Sequence, residues 1–406
     1  MSNKNDIIEA LKKDDLKEFI NLVGRTRNVG EANITISIQN YDVSNNGQHN
    51  ETQGEQIPSD GLTLLHVAAF YGALDCFVYL QKTKNVNIRA PSSHSFIPLH
   101  YACWSGSTEV ALYILTQDPS EAALPVQGGT SIQLLYCAVM GGDSEVLQVL
   151  FNNGASLSHT FNDKKKLVNK AIGLHKIDIL RILYDNLSDS KDLLSPCAQA
   201  INDHNLEAFQ MLYQGKKDIL FKTSSGATDS LVHLICCSDR DHKFKPMLMK
   251  ILDDADDLDL EPPGVVGEGL VHFACNYLDL DVARKLSNMP SFKVNRLDPN
   301  GKSGPFRLIV RNKDKGVVDM LQLLIDKNFQ IDGIGQNCPS LLESFVLGIN
   351  KNYEAIDCLL KNGASTDIKC TRPNAKNQTL YEYVMGPSCS DKKLKELFKP
   401  YKKRPK

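Results

Sequence analysis

The stretch Thr63-Leu64-Leu65-His66-Val67-Ala68-Ala69-Phe70-Tyr71-Gly72 is followed by a second version of itself, Ile97-Pro98-Leu99-His100-Tyr101-Ala102-Cys103-Trp104-Ser105-Gly106. His66 to His100 is 34 residues, and so is Gly72 to Gly106. Each part of the pattern has a physical use. Ala68, Ala69, Ala102 and Cys103 are small and let two helices approach closely. Leu65 and Leu99 supply apolar area to bury. Gly72 and Gly106 stand where a helix ends in a left-handed residue, which glycine adopts most cheaply. A helix pair of this size cannot bury its apolar face alone, so the fixed period predicts stacked copies.

A period of about 33 residues around a Thr-Pro-Leu-His-x-Ala core resembles the ankyrin repeat. The resemblance implies an all-α, ankyrin-type solenoid of about ten stacked helix-turn-helix units, counting the caps. It also implies that His66 and His100 are structural, bonding neighbouring backbone rather than a metal or a substrate.

Outward from this stretch the chain divides by repeat quality. Residues 1–25 read as an N-terminal capping helix pair, with Ile7, Ile8, Leu11 and then Leu16, Phe19, Ile20, Leu22 and Val23 at helical spacing and Asp14-Asp15 at the turn. Residues 26–59 break the period and read as a polar, flexible insertion, with Thr35–Ile38 as a short extended piece. Residues 60–157 hold the well-formed repeats. The third of these keeps Ala138 and Gly142 and ends in Asn153-Gly154-Ala155-Ser156-Leu157. Residues 158–387 read as divergent repeats, with helical segments Val168–Tyr184, Cys197–Tyr213, Phe306–Ile325 and Leu341–Leu360. His233 and His272 restore the histidine, and His175 takes the place of the glycine. Residues 388–406 read as a C-terminal helix and basic tail.

Composition bounds the function. Hydrophobic residues make up 42% of the chain and charged ones 23%, the values of a folded protein, and the net charge of −2 does not favour nucleic acid or an anionic membrane. No run of 18 apolar residues is present, so no membrane span is expected. The polar start, Met1 to Asp6, is not expected to be a signal peptide. The eleven cysteines lack paired spacing. They read as reduced thiols of an intracellular, cytoplasmic protein, with nuclear entry the alternative offered by Lys403-Arg404-Pro405-Lys406. The acidic run Asp253–Glu261 lacks the glycine and spacing of a calcium loop and reads as a solvated loop.

No catalytic constellation, cofactor motif or metal-ligand spacing is found. His233 with Cys236 and Cys237 suggests a base and nucleophile only until the repeat is taken into account, because His233 holds the structural position. The resemblance implies that the two residues before the helix-ending glycine face a concave binding surface. It thereby singles out Phe70, Tyr71, Trp104, Met140 and, in a later unit, Tyr277 as partner-binding residues. Tyr71 and Trp104 are expected to project from the same side of adjacent units. The expected function is a non-enzymatic scaffold that binds another protein through this face and the turns. The alternatives are an adaptor that recruits a modifying or degradation enzyme, and an enzyme with a divergent site in 158–338.

Overall fold

The computed structural model describes residues 4–24, 57–58, 61–123, 132–157, 161–187, 194–215, 220–222, 228–254, 268–311, 313–333, 340–349, 351–371 and 378–401. Nearly all of the insertion expected at 26–59, most of the acidic run and the last five residues of the basic tail lie outside the described residues. The chain forms two compact units, Met1–Leu212 and Tyr213–Lys406.

The first unit is a double layer of helices. The pairs are α1 (Lys4–Lys12) with α2 (Leu16–Val23), α3 (Leu64–Tyr71) with α4 (Leu74–Lys82), and α5 (Pro98–Ser105) with α6 (Thr108–Gln117). They continue with α7 (Ile132–Gly141) and α8 (Ser144–Asn152), α9 (Phe161–Gly173) and α10 (Ile177–Asp185), and α11 (Leu194–Asn202) and α12 (Leu206–Leu212). The first helices pack in chain order from α1 through α11, and the second helices form the other layer from α2 through α12.

The small residues explain how close the inner layer comes. Ala68, Ala69, Ala102, Cys103 and Ala138 are completely buried. At Gly141 a β-carbon would lie 2.5 Å from the Cys103 carbonyl oxygen and 2.6 Å from that of Trp104, so α7 meets α5 backbone to backbone with no room for a methyl group. Gly72 and Gly106 end α3 and α5 with φ of 69° and 73°. His175 and His204 make the same left-handed turn with φ of 54° and 52°, at a cost that glycine avoids.

Histidine ties α3 to the loop that follows it. His66 Nδ1 accepts from the Thr63 backbone N–H at 3.0 Å, so its proton sits on Nε2, which donates to the Phe96 carbonyl of the following loop at 3.0 Å. His100 repeats the first bond, accepting from Ile97 N–H at 3.2 Å. The capping pair is tied differently: both carboxylate oxygens of Asp14 accept backbone N–H groups of Asp75 and Cys76, at 3.0 Å each, at the start of α4.

The second unit follows the same plan. A short hairpin, β1 (Leu220–Lys222) with β2 (Thr228–Ser230), precedes α13 (Leu231–Ser238) and α14 (Lys245–Asp254). The further pairs are α15 (Leu270–Tyr277) with α16 (Leu280–Ser287), α17 (Phe306–Val310) with α18 (Val317–Asp326), α19 (Leu341–Val346) with α20 (Tyr353–Lys361), and α21 (Leu380–Met385) with α22 (Lys392–Phe398). His272 repeats the tie of His66, accepting from Gly269 N–H at 3.1 Å and donating to the Lys302 carbonyl at 3.1 Å. In α19 a glutamate stands there instead. Glu343 accepts from both the N–H and the hydroxyl of Thr371, at 2.6 and 3.0 Å, so the link survives with its polarity reversed.

The described residues thus hold eleven helix pairs in place of about ten, and two details differ from expectation. The finger before α13 closes as a paired hairpin. Helix α9 begins at Phe161, seven residues before Val168, because Asn162 to Lys166 contains no glycine or proline to stop it and is rich in lysine, a good helix former.

Two measurements test this account. Ala102→Leu forces extra methylenes into the contact that α5 makes with α3 and α7, and should destabilise by about 1–3 kcal/mol in denaturant unfolding; an unchanged midpoint would place Ala102 at the surface. The second concerns pH. Burial holds His66, His100 and His233 down to about 4, whereas an unfolded histidine titrates near 6.5. Unfolding therefore takes up protons between these values. Stability is constant above about pH 6.5 and falls as pH drops from there toward 4, by about 1–2 kcal/mol per histidine at pH 5. The melting midpoint should be distinctly lower at pH 5 than at pH 7, and equal midpoints would contradict the buried, neutral state.

Candidate interaction surface

The turn that ends each inner helix fixes what faces outward. In α3, α5 and α7 the left-handed residues are Gly72, Gly106 and Gly142. Counting back from them, Phe70, Trp104 and Met140 are equivalent, and so are Tyr71, Ser105 and Gly141. Tyr71 and Trp104, expected to project from the same side of adjacent units, therefore lie one residue out of step with each other.

Of the five residues singled out, two are accessible. Trp104 is partly exposed. Its neighbour Ser105 turns inward, its hydroxyl donating to the Tyr101 carbonyl at 3.0 Å and lying 2.8 Å from the Ser107 hydroxyl. Among the described residues the Trp104 indole N–H has no partner and the ring no aromatic neighbour. Tyr71 is also partly exposed. Lys12 Nζ lies 5.7 Å from its ring centre, and partial burial raises its phenol pKa.

The other three are core residues. Phe70 is 3% exposed, with the Tyr71 ring packed edge-on at 5.2 Å. Met140 is 8% exposed. Tyr277 is 2% exposed, donates to Asp239 at 2.9 Å and stacks on His242 at 4.3 Å. Burial and the Asp239 carboxylate push its phenol pKa well up. Its ring is wedged between repeats and presents nothing to a partner.

Sequence reasoning missed the lysines of α9. Lys166, Lys170 and Gly173 recur at i, i+4 and i+7, which is one helix face, and Gly173 is the counterpart of Trp104 when counted from His175. Lys166 and Gly173 are exposed. The run Lys164-Lys165-Lys166 was the available signal, but its face became readable only once α9 was seen to start at Phe161.

The pair suggested by His233 and Cys236 has the wrong electrostatics for nucleophilic attack. Burial raises the Cys236 thiol well above its usual range, whereas a reactive cysteine is held low. Among the described residues no cluster of three or more His, Cys, Asp or Glu is placed to hold a metal. No described helix is long and apolar enough to cross a membrane.

Comparison with known proteins bears on this arrangement directly. Residues 29–123 match a family described as ankyrin repeats (3 copies). The chain carries ankyrin repeats over this stretch. The match covers α3 to α6 and reaches back through much of the polar stretch before them. The repeats mark a protein–protein interaction module, and its partners are proteins. Among solved structures, the crystal structure of the human ASB11 ankyrin repeat domain is similar, at 18% identity over 66% of this chain and 98% of that chain, with a TM-score of 0.35. No curated protein matches.

The burial of Tyr277 gives a test. Tyr277→Phe leaves Asp239 one bond short in a buried setting, and should destabilise the fold by about 1–2 kcal/mol while leaving partner capture intact at temperatures where the variant is folded. Loss of capture by a folded Tyr277→Phe chain would return this residue to the binding surface.

Proposed function

We propose that this ankyrin-repeat protein is a non-enzymatic scaffold that holds another protein against the inner-helix face of its first unit, with Trp104 as the principal anchor and Tyr71 beside it. The observation that carries this reading is Trp104 itself. A large aromatic ring stands partly exposed on α5, while its counterparts on the two flanking helices, Phe70 of α3 and Met140 of α7, are buried. Among the described residues its indole donor has no partner. Tryptophan and tyrosine are enriched among residues that dominate binding energy, because each brings a large apolar area and a polar tip at small entropic cost.

The rigid setting supports the same reading. Helix α5 is held on both sides by α3 and α7, so the ring is presented on a preorganised surface. Truncating such an anchor typically costs about 2 kcal/mol or more, which is roughly a thirtyfold loss of affinity. Trp104→Ala should therefore abolish capture of the partner in an affinity pull-down from lysate, with the melting midpoint changed little because the ring is not core. Capture that survives in the folded variant would place the binding surface elsewhere.

A further inference from the structure

The lysines of α9 identify the kind of partner. We infer that the inner face from α5 to α9 binds an acidic peptide segment carrying an apolar side chain, which seats on Trp104 while its carboxylates lie over the α9 lysines. The inference rests on the proposed binding face and specifies its ligand.

Three observations carry it. The first is position. Because Gly173 is the counterpart of Trp104, Lys170 and Lys166 lie on the same layer face, one and two turns nearer the start of their helix. Lys176 joins them at the turn, where its side chain lies over Gly142: a β-carbon added there would meet Lys176 Cε at 2.8 Å.

The second is uncompensated charge. Among the described residues no carboxylate pairs with Lys164, Lys165, Lys166 or Lys176. Two other cations of the unit are paired, Lys12 with Glu9 at 2.8 Å and Arg89 with Asp118 at 2.7 Å and with Glu121. Residues 60–157 hold three Lys or Arg against seven Asp or Glu, while 158–187 hold six against three. The charge changes sign at α9, within an otherwise near-neutral chain. Asp203, beside Gly173, is held by the Gln199 amide at 2.9 Å and bounds the patch on its far side.

The third is the floor between anchor and lysines. On α7 it consists of Gly141, with no side chain, and Met140, which is buried; on α9 it continues to Gly173. Trp104 and the α9 lysines stand two helices apart, about 20 Å at the usual interaxial spacing. At about 3.3 Å per residue an extended segment of roughly seven residues spans that distance.

Trp104 is the one tryptophan in the chain, so its emission reports on this site alone. The full chain is titrated with a twelve-residue peptide, acetyl-(Glu-Glu-Leu)4-amide. Parallel titrations use the same peptide with lysine for glutamate, and a twelve-residue oligothymidylate. The acidic peptide should change the Trp104 emission saturably, with half-saturation rising severalfold between about 50 and 300 mM salt as the charges are screened. Lys166→Glu/Lys176→Glu should weaken it at least tenfold, whereas Lys166→Arg/Lys176→Arg should leave it within about threefold. If the Glu variant has lost its helical circular dichroism, Lys166→Gln/Lys176→Gln replaces it, with a smaller weakening expected.

An absent response to the acidic peptide, an equal response to the lysine peptide, or a folded charge-reversed chain that binds as before overturns the inference. A tighter response to oligothymidylate overturns it in favour of a nucleic acid ligand. The proposed binding face fails separately: if Trp104→Ala loses the lysate partner while Lys166→Glu/Lys176→Glu retains it, the face stands and its acidic preference falls.

Discussion

A single helix pair of this protein has no interior. It acquires one only by lying so close to its neighbours that alanines and cysteines become core residues. Ala68, Ala102 and Ala138 are fully buried although each offers only one methyl group, and Gly141 has no space for even that. Close approach converts small side chains into dispersion contacts and excludes water along the whole layer. It also constrains what can change, since one enlarged residue disturbs two helices.

Close packing needs register, and buried polar ties supply it. At His66 and His272 the third helical residue accepts an N–H of its own helix start and donates to a carbonyl of the following loop, so one ring caps and spaces the helix, whereas His100 makes only the first of these bonds. Glu343 makes the second with reversed polarity, accepting where His66 donates. The tie, rather than the residue type, is what the architecture requires. Helix α9 runs through this position as continuous helix, and its first turns carry lysines.

The binding face follows from this packing. Phe70, Trp104 and Met140 leave their helices in the same direction, yet Trp104 alone among them stays accessible. The difference comes from neighbours. Tyr71 packs edge-on against Phe70, whereas Trp104 is flanked by Ser105, whose hydroxyl bonds its own helix backbone, and the Trp104 carbonyl lies against Gly141 of α7. A bulky anchor beside small residues leaves a ring that a partner can reach, on a support too rigid to collapse over it.

The amino-acid sequence by itself determined the unit. The 34-residue spacing, the small pair, the terminal glycine and the histidine are local signals, each acting within a few residues of itself, and they were legible as helix pairs, caps and structural histidines. Exposure was not legible in the same way, because it depends on what the adjacent copy contributes. Tyr277 and Tyr71 hold the same position in their repeats, but Asp239 and His242 of the preceding pair enclose Tyr277, while Lys12 of the preceding pair lies over a Tyr71 that stays partly exposed. The face of the α9 lysines also waited on the fold, since a helix assigns directions only once its start is known. Local chemistry set which way each side chain leaves the backbone, and packing between units decided which of them meets solvent.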